Sequence, residues 1–154
     1  MSALARGPKP LRLRLAAASL PERLSEVRAQ VAAWVGRFGL PGDTVDDIVL
    51  ATHEALANVA DHAYPAGGGD AELDAACENG EIRVVVRDHG RWQAPAGEPG
   101  WRGRGLVLIQ GLAEHVDVQR AAAGTSVAMR WRLPDAWRYS TTGGSRIGSR
   151  PSWG

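Results

Sequence analysis

The pattern of apolar and polar positions predicts short strands that alternate with amphipathic helices. Residues 11–15 alternate with a period of two, which indicates a half-buried strand. From Leu20 to Phe38 the apolar residues instead recur at steps of three and four, as they do on one buried face of a helix. Ser19 stands where it could cap this helix, and Gly39 and Pro41 follow its expected end.

The same reasoning predicts a second helix and a β-hairpin further along the chain. The helix is expected to begin at Asp43 or Thr44, either of which can cap it, and to end near His62. Asn79-Gly80 is a strong signal for a two-residue turn between two strands. The other expected elements are hairpin strands over 71–77 and 82–87, a loop rich in Pro and Gly over 91–102, a helix over 105–114, and strands over 116–120 and 125–133.

This order of elements predicts an α+β fold, a two-layer sandwich with the helices on one face of a mostly antiparallel sheet. We expect one folded domain over residues 11–134, a flexible N-terminus over 1–10, and a disordered tail over 135–154, where apolar periodicity is absent. Trp137 and Trp153 in the tail could hook a partner, although an inert tail is the favoured interpretation.

Composition narrows the function classes. A net charge of +1 argues against nucleic-acid binding, which usually needs a strong basic excess. Cys77 is the single cysteine, so an internal disulfide is excluded and a reducing cytosol fits. No run approaches the ~20 apolar residues that a membrane span needs, and Met1–Pro10 lacks a signal-peptide core. We therefore expect a cytoplasmic protein that binds neither membrane nor nucleic acid.

Two polar residues on the second predicted helix are candidates for chemistry. Glu54 and Asn58 are four residues apart, which stacks their side chains on one helix face about 6 Å apart at Cβ. A carboxamide oxygen can bind a hard cation, and a carboxylate beside it can contact the cation's water shell or accept a proton. Taken alone, such a pair is also typical of a solvated helix face.

A further candidate follows the expected strand over 82–87. That strand stops at Asp88, and Gly90 comes two residues later. The pair places a fixed acceptor beside backbone that can approach a ligand closely. An Asp that merely caps a turn is the ordinary alternative.

A glycine loop comes next. Gly103, Arg104, Gly105 and Leu106 open into an apolar helix. A helix N-terminus has unpaired N–H groups and a partial positive charge, so a glycine loop there suits a phosphate. A single Gly-x-Gly is otherwise an ordinary turn.

At these residues the chain resembles the GHKL superfamily of gyrase-like, heat-shock-chaperone-like, histidine-kinase-like and mismatch-repair ATP-binding domains. The matching motifs are Glu54 with Asn58 as the N-box, Asp88-x-Gly90, Gly103-x-Gly105, and Gly124-Thr125. The phrase Glu-Ala-x-x-Asn-x-x-x-His-Ala-Tyr at 54–64 is most similar to anti-sigma-factor serine kinases. The resemblance covers about 11–133 and implies the GHKL form of the α+β sandwich.

The resemblance implies that the protein binds ATP together with Mg²⁺. Asn58 would be the protein ligand of Mg²⁺, and Glu54 would orient or deprotonate the nucleophile that attacks the γ-phosphate. Asp88 would accept a hydrogen bond from the exocyclic amine of adenine, which guanine lacks at that position. The phosphates would meet backbone N–H groups over Gly103–Leu106.

Three side chains keep alternative roles at this stage. Arg104 lies between the two glycines, where it could pair with a β- or γ-phosphate or point to solvent. Thr125 could place a hydroxyl near the base or ribose edge, or it could be an ordinary strand residue. His62 follows Asn58 by one further turn, and a packing or capping role is favoured over catalysis.

For function, the resemblance implies a homodimeric serine/threonine kinase that holds a sigma factor and phosphorylates a STAS-type anti-sigma antagonist. The alternative is an ATP-binding regulatory module that sequesters a partner with little or no transfer, because the expected lid over 91–102 is short. The catalytic part of a sensor histidine kinase is disfavoured, since the segment before the N-box helix contains no phosphoacceptor His.

Overall fold

A computed structural model describes residues 8–91 and 104–135, except for the side chains of residues 104 and 105. Five strands and three α-helices lie within these residues. Their bounds are β1 (Leu11–Ala16), α1 (Leu20–Val35), α2 (Gly42–Asn58), β2 (Asp70–Glu78), β3 (Glu81–Asp88), α3 (Arg104–Leu112), β4 (His115–Ala121) and β5 (Gly124–Arg132). Most of the expected flexible N-terminus (1–7), most of the lid, and the expected tail from residue 136 to 154 lie outside the described residues.

The strands form a single antiparallel sheet in the order β1-β2-β3-β5-β4. Leu73, Val86 and Val127 stand side by side on neighbouring strands, and all three are buried. They share one core with Val31 of α1, Leu56 of α2 and Ile109 of α3. The helices therefore cover one face of the sheet, which confirms the predicted α+β sandwich.

The opposite face of the sheet carries charged side chains. Asp74 on β2 forms ion pairs with Arg12, at 3.4 Å, and with Arg87, at 2.8 Å. Because side chains alternate between the two faces of a strand, the same period of two supplies both the core and this polar surface.

The predicted turn between β2 and β3 is confirmed. Asn79 and Gly80 have φ values of 52° and 74°, and Glu78 pairs with Glu81 across them. Positive φ at both central residues defines a type I′ turn, which twists in the sense that the flanking strands require. This short connection places β3 beside β2, and pairing with β5 on its other edge makes β3 the central strand.

One predicted helix cap is confirmed in position and the other is wrong. Ser19 occupies the N-cap position of α1, as predicted, but its side chain makes no capping bond, because its hydroxyl donates to the Ala16 carbonyl at 2.8 Å. The second helix begins at Gly42, one residue before Asp43, and the residue at its N-cap position is Pro41.

The end of the second helix also differs from the prediction of a regular helix to about His62. The α-helical part ends at Asn58, and a π-helical turn over Val59–Ala63 continues it. Among the described residues, no helix is long and apolar enough to span a bilayer.

Candidate functional site

The N-box pair lies on the last two turns of α2. Glu54 and Asn58 are both half-buried, next to the fully buried Ala55 and Leu56 on the core side of the helix. α2 packs against both α1 and α3, so the pair belongs to the central helix of the layer. The predicted placement of these two residues on one helix is thereby confirmed, while their chemical role stays a prediction.

Asp88 is the last residue of β3 and its side chain is only 3% exposed. It continues the buried row of Val84 and Val86, so it lies on the face that the helices cover. Burying a carboxylate is costly unless the group is hydrogen-bonded. Its Oδ1 accepts a hydrogen bond from the Gly90 N–H at 3.0 Å, which holds the turn after β3 against the carboxylate.

Thr125 lies directly opposite Asp88 in the register between β5 and β3, and it is 7% exposed. Gly124, just before it, has φ of 143° and lies against the backbone of Asp88 and His89. A Cβ at Gly124 would be 2.8 Å from the His89 Cα and would overlap the Asp88 carbonyl. The glycine therefore lets β5 approach the end of β3, and the Gly-Thr pair brings a buried hydroxyl beside the buried carboxylate.

A cavity of about 380 Å³ opens beside Thr125 and the turn that follows Asp88. Its lining residues are Gly90, Arg91, Arg120, Ala121, Ala122 and Thr125. Sequence reasoning missed Arg91 and Arg120. Arg120 could have been found from the predicted hairpin, because it pairs with Thr125 in the β4–β5 register and so lies in the same row across the sheet. Guanidinium groups suit anionic or planar ligand groups.

The end of the N-box helix contacts the turn that follows Asp88. A Cβ at Gly90 would overlap the carbonyl oxygen of Ala63, the last residue of the π-helical turn. Glycine at this position is therefore required by the protein's own backbone, in addition to any approach by a ligand. The contact joins the two candidate motifs through the backbone.

The glycine-loop prediction is only partly within the described residues. Gly103 and the side-chain positions of residues 104 and 105 lie outside them. A helix does follow Gly103 as expected, since α3 begins at Arg104, one residue before the predicted start. Leu106 is buried, and α3 packs against α2. At the other end of α3, the Trp131 indole donates to the Leu112 carbonyl at 3.0 Å.

Comparison with known proteins agrees with this geometry. The family described as "Histidine kinase-like ATPase domain" matches residues 17–131. Serine-protein kinase RsbW of Halalkalibacterium halodurans is 34% identical over 70 residues, which are 46% of this chain and 43% of that protein. The match thus spans less than half of the length of that relative.

Among solved structures, the RsbU and RsbW domains of Rv1364c from Mycobacterium tuberculosis are similar in fold. The likeness has a TM-score of 0.66 and 27% sequence identity, and it covers 82% of this chain and 33% of that one. The solved structure agrees with the α+β sandwich described above. This chain belongs to the histidine kinase-like ATPase domain family, within the GHKL class of ATP-binding folds.

Proposed function

We propose that this domain is an ATP-dependent serine/threonine kinase that also holds a sigma factor, with a STAS-type anti-sigma antagonist as its phosphorylation substrate. The observation that carries the proposal is the buried Asp88, which pairs with Thr125 across the sheet beside a cavity lined by Thr125 and Gly90. The similarity to a serine-protein kinase supports the class of reaction. The partner classes rest on the resemblance of residues 54–64.

The purine is assigned to Asp88 and Thr125. An ionised carboxylate has two oxygens and can accept several hydrogen bonds, so we assign Asp88 an adenine amine as a partner in addition to the Gly90 N–H. Because the carboxylate is buried, water competes weakly for that bond. Guanine would present a carbonyl oxygen to the carboxylate, and two acceptors repel each other.

The phosphates and the reacting hydroxyl are assigned to the two helices that pack together. The N-terminus of α3 offers backbone N–H groups and its dipole to the phosphates, with Gly103, Arg104, Gly105 and Leu106 as the proposed contacts. Asn58 offers one carboxamide oxygen, a donor set that fits Mg²⁺ because this ion retains waters and shares phosphate oxygens. When bound, Mg²⁺ would neutralise charge on the phosphates. We assign Glu54, one turn earlier on the same helix, the role of accepting the proton of the attacking serine or threonine hydroxyl.

The nucleotide assignment is tested by calorimetry with ATP and GTP in the presence of Mg²⁺. We expect wild-type protein to prefer ATP, and Asp88→Asn to weaken ATP binding about ten- to hundredfold, because a charge-assisted hydrogen bond contributes about 1.5–3 kcal/mol. Asp74→Asn is the matched control, since it makes the same change on the far face of the sheet. Equal affinity of the wild type for ATP and GTP would show that the assignment is wrong.

A further inference from the structure

Tyr64 connects the end of the N-box helix to the strand end that carries Asp88. It is the first residue after the π-helical turn. Its hydroxyl donates to the Asp70 carbonyl at 2.6 Å, and the His89 N–H donates to the same hydroxyl at 2.9 Å. A phenolic hydroxyl carries one donor and can also accept, so a single group satisfies both partners.

Two glycines make room for this tyrosine. A Cβ at Gly69 would overlap the Tyr64 ring, and a Cβ at Gly90 would be 3.0 Å from the ring Cδ1. The carbonyl of Tyr64 accepts from the Gly67 N–H at 2.9 Å, and the Gly69 carbonyl accepts from the Ala17 N–H at 3.0 Å. The half-buried ring is therefore flanked on two sides by backbone that is itself hydrogen-bonded.

The position of the His89 amide makes this contact relevant to the site. His89 lies between Asp88 and Gly90, and the Gly90 N–H donates to the Asp88 carboxylate. β3 ends at Asp88, so the sheet no longer fixes the turn beyond it. Tyr64 holds that turn from the helix side through His89, while the Asp88 carboxylate holds it from the strand side through Gly90.

We propose that Tyr64 is a positioning residue for purine selection. By fixing the turn over residues 88–90, its hydroxyl keeps the Asp88 carboxylate in the orientation that distinguishes an adenine amine from a guanine carbonyl. Tyr64 does not itself touch the base in this scheme. The inference rests on the proposed nucleotide function, and it adds that purine preference depends on the end of the N-box helix.

The test compares two variants, each of which loses one side-chain hydrogen-bonding group. Tyr64→Phe keeps the ring between the two glycines and removes only the hydroxyl. Trp34→Phe is the control for a loss of stability away from the site. It removes the 2.7 Å bond from the Trp34 indole to the Lys9 carbonyl, together with part of a buried side chain, near the end of β1 opposite to the one that pairs with Asp70. Dissociation constants for ATP and GTP are measured for both variants and the wild type, with melting temperatures alongside.

We expect Tyr64→Phe to raise the Kd for ATP about three- to tenfold and the Kd for GTP by less, so that the preference for ATP narrows. Trp34→Phe should lower the melting temperature without changing that preference. A purely structural role for Tyr64 would lower the melting temperature and leave the ratio of the two affinities unchanged. An unchanged ratio in Tyr64→Phe overturns the proposal.

Amide hydrogen exchange provides a measurement that does not require nucleotide or a stable variant. In wild-type protein the His89 amide should exchange slowly, although it lies beyond the last strand pair of β3, because its donor is occupied by Tyr64. Rapid exchange at His89 in a well-folded wild type overturns the inference even if ATP binds. Slow exchange together with equal affinity for ATP and GTP would instead contradict the nucleotide assignment, while the hydrogen bond from His89 to Tyr64 would stand.

Discussion

Asp88 on β3 and Cys77 on β2 are both shielded from water, and different neighbours decide what each side chain can do. Asp88 is buried but accepts a hydrogen bond from Gly90, so its carboxylate is held in place. Cys77 on β2 is half-buried, and this burial, with a smaller contribution from the charge of Glu78, raises the pKa of its thiol. Since the thiolate is the reactive form of cysteine, the structure indicates that Cys77 is an unreactive packing residue.

We predict slow alkylation of Cys77 in the folded protein. Because the pKa is raised, the thiolate fraction near pH 8 is smaller in the folded chain than in the unfolded chain, and it should increase only at higher pH. The rate of iodoacetamide labelling, measured between pH 7 and 10 with and without denaturant, checks this expectation. Equal rates in both states across this range would contradict it, and Cys77→Ser serves as the unlabelled control.

Glu54 and Asn58 lie on one helix, but we expect substitutions at the two positions to impair different properties, phosphoryl transfer for Glu54 and Mg²⁺-dependent ATP binding for Asn58. Glu54→Gln retains the shape of the side chain and removes its basicity, so ATP affinity should persist while transfer falls ~10²–10⁴-fold, as is typical for loss of a general base. Asn58→Ala should lose the Mg²⁺-dependent part of ATP affinity. The measurements are calorimetry with and without Mg²⁺ and phosphorylation of the cognate antagonist.

The control for these variants is Glu26→Gln on the exposed side of α1, which should change neither property. Wild-type transfer rates in both site variants would refute the kinase assignment. Intact ATP affinity with no transfer by the wild type would favour the regulatory-module alternative.

At the scale of elements, the strands agree with the sequence to within about two residues because their period of two is a local signal. The strand expected over 125–133 lies at Gly124–Arg132, and the one expected over 71–77 lies at Asp70–Glu78. The C-terminal end of the second helix was harder to predict. Its π-helical turn has no local pattern of its own, and it coincides with the contact of Ala63 against Gly90, which is distant in sequence.

Pairings between distant strands explain what sequence reasoning missed at the site. Motif resemblance selected Asp88 and Thr125 separately, and only the register between β3 and β5, which are distant in sequence, makes them direct neighbours. Arg120 joins the same row through the local β4–β5 hairpin. The role of Tyr64 was hidden for a similar reason. Its two hydroxyl partners, at residues 70 and 89, come together only when the helix end meets the sheet.

The contact between the helix end and the turn yields a prediction about two glycines. Gly90→Ala should destabilise the fold by about 1–3 kcal/mol, because the new methyl group meets the Ala63 carbonyl, which is backbone and cannot rotate away. Gly111→Ala is the contrasting change, because it lies in α3 and no atom of the described residues comes within 4 Å of the added carbon. It should be neutral or stabilise by up to about 1 kcal/mol.

Urea denaturation of the two glycine variants beside the wild type measures both effects. A Gly90→Ala protein as stable as wild type would mean that the Ala63 carbonyl lies far enough from Gly90 to leave room for a methyl group. A marked loss of stability in Gly111→Ala would mean that α3 does not tolerate a side chain at that position, contrary to its open surroundings.

For the whole molecule, the sheet is completed where β5 ends. The Leu133 N–H donates to the Gly80 carbonyl at 2.9 Å, which ties the residue after β5 to the β2–β3 turn. Trp131 and Leu133 are both buried in the core. Everything that the described fold needs for its core and for the candidate site is therefore present by residue 133.

This closure predicts that residues 138–154 are dispensable for folding and for nucleotide binding. A protein truncated after residue 137 should keep the wild-type melting temperature and ATP affinity, because no core residue or sheet hydrogen bond of the described fold is removed. Truncation after residue 130 is the control, and it should fail to fold, since it removes the buried Trp131 and Leu133. If the domain surface holds the sigma factor and antagonist, the protein truncated after residue 137 should also retain both in a pull-down. Loss of every partner with ATP affinity intact would show instead that the tail, with Trp153, makes the contact.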